Sequence, residues 1–255
     1  MNIDPLLNQT LTHMEKTVES LLKRVPQPKK VPYKDGFVFR HTEKTVHQAL
    51  VQKLARLVSS LHATRLLWTH GFVQEQASMQ RILDELQEDI TFLAFGIIFQ
   101  DWTSLHDAYL SAFFEEEFDS ELAMTSSQRR PMIPRKKIRS WIASVEGAQD
   151  PSTAREATRT LSKAYSGYVH AASPHIMEMF VGDPPRFHMK GLGGTLRHAE
   201  HRADLWNNFY RGILSFAFAV KAFGDEEVFN TLKNFAADFL RDSGNDYVSI
   251  EWDEI

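Results

Sequence analysis

Arg65 follows Leu61 by four residues and precedes Trp68 by three, which places a guanidinium in the apolar seam of a predicted helix. A charge there is costly unless it is paired. The next predicted helix offers Arg81, Glu85, Glu88 and Asp89. Asp89 lies seven residues after Ile82 and four before Leu93, at the border of that helix's buried face. The expectation is a polar cluster of Arg65, Arg81, Glu85 and Asp89 between two paired helices. Its chemistry is that of a preorganised anion or substrate site with carboxylates as general bases. An ion-pair network that fixes helix register explains the same residues equally well.

Two further groups carry histidine. In Tyr165-Ser166-Gly167-Tyr168-Val169-His170, Ser166 and His170 are four apart and share a helix face, so the histidine could activate the hydroxyl. No third, orienting group is evident, and aromatic packing is the simpler reading. In Arg197-His198-Ala199-Glu200-His201-Arg202, His198 and His201 are three apart, which allows joint metal ligation with Asp204 as an oxygen ligand. The alternative is a solvated charged face. No Glu-x2-His pair occurs in the chain, which argues against a ferritin-like di-metal centre. The loop Gly191-Leu192-Gly193-Gly194 could admit a phosphate at the following helix N-terminus, but it lacks the lysine of a P-loop. Six of the eleven residues 129–139 are cationic: Arg129, Arg130, Arg135, Lys136, Lys137 and Arg139. They are candidate RNA-phosphate contacts, or a counterweight to the acidic run Glu115–Glu121.

The elements that must position these groups are helical. Apolar residues recur at three- and four-residue spacing, and strand-like alternation is confined to Phe37-Val38-Phe39 after Asp35-Gly36. The spacing predicts a helix from Asp4 to about Arg24, then a proline-rich arm over 25–41. Long helices are expected over about 42–70 and 74–100, antiparallel across Gly71, with seams at Leu50, Leu54 and Leu57 and at Ile82, Leu86 and Ile90. Shorter helices follow near 103–117, 135, 152 and 175. A long one spans 196–223, with Ala199, Ala203 and Trp206 in its seam, and the last covers 225–241. The expected fold is an all-α single bundle of about eight helices with negligible β-structure. Residues 1–41 form a helix and arm, 42–255 the body, and 122–134 an internal loop or boundary.

Composition narrows the chemistry. The 255 residues contain no cysteine, so disulfides, thiolate nucleophiles and zinc ribbons are excluded. A net charge of −4 excludes a chain that is basic throughout. The longest apolar run, Ile90 to Phe99, is ten residues, against the ~20 a membrane span needs. With no basic leader followed by an apolar stretch, a soluble cytoplasmic protein is expected. A homodimer through the long helices is a further expectation.

The Arg65-x4-His70 element at a helix end resembles the catalytic motif of HEPN-type helical ribonucleases. That resemblance implies metal-independent RNA cleavage by Arg65 and His70 from a dimer cleft. Leu66 departs from the polar residue that commonly follows the arginine in that family. The layout of Arg81-x3-Glu85 on one helix and Ser166-x2-Val169-His170 on another is similar to a family of all-helical bacterial proteins of unassigned function. This resemblance spans roughly residues 45–220. It implies an all-α fold and a polar site at Arg81, Glu85 and His170, with no established reaction and no known cofactor. The leading reading is a binding or interaction module, stress- or defence-associated. A ribonuclease using Arg65 and His70 is the alternative, and a metal-dependent hydrolase around His198, His201 and Asp204 the third.

Overall fold

The computed structural model describes residues 4–116, 123–127, 130–145 and 165–244. The expected helix near 152, Arg129 and the acidic positions 117, 119 and 121 lie outside the described residues.

Helix α1 (Asp4–Leu22) carries Leu7, Leu11, Met14 and Leu21 on one face, and all four are buried. Prolines 26 and 28 end the helical path. The arm then folds into an antiparallel hairpin rather than a plain linker. Strand β1 (Lys29–Tyr33) pairs with β2 (Gly36–Arg40), Val31 opposite Val38 and Tyr33 opposite Gly36. The two turn residues are Lys34 and Asp35, with Lys34 at φ 50°. Such two-residue turns match the twist of paired strands.

Helix α2 (Val46–Thr69) opens on a capping box, Thr45 accepting from Gln48 N while Gln48 accepts from Thr45 N. It turns at Gly71 into α3 (Val73–Ile98), giving the antiparallel hairpin that the sequence implies. Helix α4 (Ser104–Phe114) begins at Thr103, whose N–H and hydroxyl both donate to His106 Nδ1. His106 is wholly buried, stacks on Phe92 at 3.9 Å and donates from Nε2 to the Phe92 carbonyl. Burial lowers its pKa.

Helix α5 (Arg135–Val145) is followed by helical residues 165–169 and α6 (Ser173–Met177). A two-residue strand pair comes next, β3 (Phe180–Val181) with β4 (Arg186–Phe187). The expected single helix over 196–223 is two: α7 (Leu196–Glu200) and α8 (Arg202–Ala222), parted at His201. Helix α9 (Glu226–Ser243) starts at the Asp225 cap and stops at Gly244.

Helix α8 is the centre of the bundle. It packs against α1, α2, α3 and α9, and Phe209, Phe216, Ala217 and Val220 have no measurable exposure. One continuous core joins residues of α1 through α5, α8 and α9, so the N-terminal helix shares the core of the body. The fold is a predominantly helical bundle with two short antiparallel strand pairs. Among the described residues, no helix is long and apolar enough to cross a membrane.

Two seams differ from expectation. Ile82 is 40% exposed, whereas its neighbours Asp84, Glu88 and Asp89 are buried. Ala199 and Ala203 are exposed, whereas His201 is 6% exposed. The departure is confined to the start of the stretch around the break at His201, since Trp206, Tyr210, Ile213, Ala217 and Val220 are buried as the helical spacing implies.

Candidate functional site

Helix α3 carries two polar systems. The first faces α2 and α5. Antiparallel pairing sets Lys53 against Asp89, and Lys53 Nζ donates to Asp89 Oδ2 at 2.8 Å. Arg135 and Arg139, four apart on α5, reach the same stretch of α3. Arg135 grips Asp89 through both terminal nitrogens, and Arg139 Nε donates to Glu88 Oε1 at 2.7 Å. Burial raises the Asp89 pKa, but the charges of Lys53 and Arg135 outweigh it and hold the carboxyl below its usual range. Burial dominates at Glu88 and raises its pKa despite Arg139. Burial also lowers the Lys53 pKa despite Asp89.

This network corrects two expectations. Arg65 is not a member: its guanidinium points to α1 and donates to Asn8 Oδ1 at 2.5 Å. Arg81 pairs with Glu85 at 2.9 Å, each about one-third exposed, and Glu85 joins the network at its rim through Arg135 at 3.5 Å. The basic stretch 129–139 is also not an outward patch. Arg135 and Arg139 turn inward to Asp89 and Glu88, and Arg130 Nε donates to the Ala112 carbonyl at 2.8 Å. Lys136 and Lys137 remain on the surface, where they line a shallow groove of about 820 Å³ with Leu105 and Trp141. Arg129 lies outside the described residues.

The second system lies between α3 and α8, which run parallel. Leu192 N donates to the Gly71 carbonyl at 2.7 Å near their N-terminal ends, and Phe95 meets Phe218 at 4.9 Å near their C-terminal ends. On α3, Gln76, Gln80, Asp84 and Gln87 recur at helical spacing and are all buried. The α8 side offers His201, Asp204, Asn208 and Arg211 at the same period. Arg211 pairs with Asp84 at 2.5 Å, and Gln87 Nε2 donates to the Asn208 carbonyl at 3.3 Å.

Two tyrosines close the N-terminal end of this seam. Tyr165 donates to Asp204 Oδ1 at 2.7 Å, and Tyr168 donates to Glu178 Oε2 at 3.0 Å. Gln74 Nε2 donates to the same Glu178 oxygen and to the His175 carbonyl. Arg197 lies 3.6 Å from Glu178 Oε1. Burial and the adjacent carboxylates push both tyrosine pKa values well up, so the phenols stay protonated donors. The rings of Tyr168 and His201 meet edge-on at 5.9 Å. His201 Nδ1 sits 3.0 Å from Asp204 Oδ2 without the alignment of a hydrogen bond.

Compared with protein-family models, curated proteins and solved structures, the chain matches none. The site is therefore read from its own groups.

His175, rather than His170, is the histidine of this cluster. Its ring stands edge-on to Tyr168 at 4.4 Å, whereas His170 is exposed. Gly167 makes the approach possible, because a Cβ there would fall 2.0 Å from His175 Cε1. His198 and His201 do not share a ligand. His198 turns to α2, donates from Nε2 to the Trp68 carbonyl at 2.7 Å and lies on the Trp68 ring. Among the described residues, no three His, Asp or Glu side chains are placed to hold a metal ion.

The glycine loop is likewise structural. A Cβ on Gly71 would lie 2.3 Å from Gly193 N, and one on Gly191 would lie 2.5 Å from the His70 carbonyl. The loop clasps the α2–α3 turn backbone to backbone, and the five-residue α7 behind it offers no anion site.

Sequence reasoning missed the buried amides. The signal was present: Gln76, Gln80, Asp84 and Gln87 recur through α3, and Asn208 interrupts an apolar stretch of α8. Several of their atoms have no protein partner among the described residues: both amide atoms of Gln76 and of Asn208, and the carbonyl oxygens of Gln80 and Gln87.

Proposed function

We propose that this protein is a binding module and that the α3–α8 seam, with its tyrosine–carboxylate mouth, is its ligand site. The observation that supports the reading is Gln76. Its side chain is wholly buried, and neither amide atom has a partner among the described residues. A buried polar group left unpaired costs about 1–3 kcal/mol, whereas an apolar side chain of similar shape there is neutral or stabilising. A row of such amides is costly unless hydrogen-bonding partners come from outside the described residues, and a bound ligand would supply them.

An amide presents one donor and one acceptor side by side. The complementary ligand is a small, planar molecule with an acceptor–donor edge, of the kind found on nucleobases and carboxamides. Tyr168, edge-on to His175, and Arg197 both meet Glu178, which Gln74 ties to the first turn of α3 two residues before Gln76. The ribonuclease reading draws no support from Arg65, which is held by Asn8, or from His70, whose Nδ1 donates to the Leu66 carbonyl at 2.9 Å.

The test is thermal unfolding of the full chain with adenine, guanine, cytosine, uracil and nicotinamide. At least one compound is expected to raise Tm by several degrees at about 100 times its Kd. The Gln76→Leu variant is expected to lose that shift while unfolding no earlier than wild type. A variant that unfolds much earlier would mean the amide is structural, and an undiminished shift would place the ligand elsewhere.

A further inference from the structure

The β1–β2 hairpin presents an aromatic and basic surface that the bundle leaves uncovered. Side chains at alternate positions share a face, so Lys30, Pro32, Phe37 and Phe39 stand together on one side of the ribbon. Phe37 and Phe39 are about half exposed, with ring centroids 5.5 Å apart. Lys30 Nζ lies 4.3 Å from the Phe37 ring centroid. At the turn, Tyr33 is 52% exposed with Lys34 Nζ 5.4 Å from its ring.

The charges on this arm are sorted. Residues 29–44 carry five Lys and Arg against two acids, in a chain of net −4. The face turned to the body is neutralised, Lys29 by Glu43 at 2.8 Å and Arg40 by Glu116 at 2.5 Å. Lys30, Lys34 and Lys44 have no ion pair among the described residues. Phe39 and Lys44 also line a groove of about 720 Å³ between the hairpin and the end of α4.

We propose that this hairpin binds single-stranded nucleic acid, with Phe37 and Phe39 stacking on bases and Lys30, Lys34 and Lys44 facing phosphates. Exposed rings with cations beside them are what an unpaired strand requires. Stacking needs a base face that a duplex hides, and the adjacent ammonium meets the linked phosphate. A membrane surface fits less well, because ring insertion would carry the ring-bound ammonium of Lys30 toward hydrocarbon.

The test is fluorescence anisotropy of the full chain with a labelled uridine dodecamer. Three phosphate contacts predict a log–log salt slope of about −2, at ~0.7 per contact on a single strand. Phe39→Ala and the pair Lys30→Glu and Lys34→Glu are each expected to weaken binding about tenfold or more. Their circular dichroism and Tm should stay unchanged, because these side chains are exposed. Absent dodecamer binding, equal affinity for a duplex, or vesicles of phosphatidylserine bound in place of RNA would each overturn the proposal. A loss caused by Lys136→Glu with Lys137→Glu, and not by the hairpin variants, would overturn it as well.

Discussion

Lys53 and Asp89 meet at 2.8 Å across the α2–α3 interface, with both side chains more than nine-tenths buried. Removing one partner of such a pair strands the other charge, which typically costs about 3–5 kcal/mol. Asp89→Ala is therefore expected to lower stability by about that amount in urea unfolding. Replacing both partners, Lys53→Met with Asp89→Leu, should recover most of the loss. Arg135 then keeps Glu85 at 3.5 Å and access to solvent. A double variant as unstable as the single one would mean that the pair itself, rather than the stranded lysine, supplies the stability.

Glu88 and Asp89 are chain neighbours with opposite pH linkage. Burial raises the Glu88 pKa above its ordinary 4.5, so the folded state holds this proton more tightly than the unfolded chain. Its contribution is full below pH 4.5 and is lost as pH rises through the folded value. The Asp89 pKa is lowered, so its contribution is present above its ordinary 3.8 and is lost as pH falls through the folded value. Of these two neighbours, Glu88 is the one whose contribution falls as pH rises above 4.5. Relative to wild type, Glu88→Gln should therefore gain stability as pH rises from 4 to 7, on top of a pH-independent cost of leaving Arg139 without its anion. Urea midpoints at the two pH values measure it, and a gap independent of pH would contradict the shift.

The long helices and the Gly71 turn were legible because α2 and α3 alternate apolar and polar residues at the helical period across a single glycine. The face of α3 was legible in part: the spacing sets Asp89 at the border of the buried face, but hydropathy passes over Asp84 as a charged residue and puts Ile82 in the seam, where it is 40% exposed. The partners of the two aspartates come from 36 to 127 residues away, beyond any local pattern. The hairpin escaped because its outer residues are aromatic on a surface that no other element covers. The histidine cluster was half legible. Tyr165 and Tyr168 stood out by type, but helical spacing favoured Ser166 with His170, and only the fold shows that the Gly167 face meets His175.

The Gly167–His175 contact gives a coupling that unfolding can measure. A methyl at 167 would collide with the His175 ring at 2.0 Å. Overpacking of this kind costs typically about 1–3 kcal/mol. Gly167→Ala should lose stability in that range, whereas the double variant Gly167→Ala with His175→Ala should be more stable than additivity predicts. Additive losses would show that the ring is free to move aside.

Arg65 separates a structural role from a catalytic one. It is partly exposed and donates to Asn8 on α1, while the buried Asp89 and Glu88 are held by Lys53, Arg135 and Arg139. Arg65→Ala is then expected to cost no more than about 1.5 kcal/mol, the worth of an ordinary hydrogen bond, and not the loss that a stranded buried charge brings. His70 is exposed at the end of α2 and is tied to its own helix. Neither side chain is preorganised by the other. RNA incubated with the full chain in EDTA should therefore be cleaved no more slowly by Arg65→Ala or His70→Ala than by wild type. A loss of about a hundredfold in both variants, the least that removal of a general acid or base causes, would assign the pair to catalysis instead. Unchanged stability in those variants would be needed as well, because unfolding alone would abolish any activity.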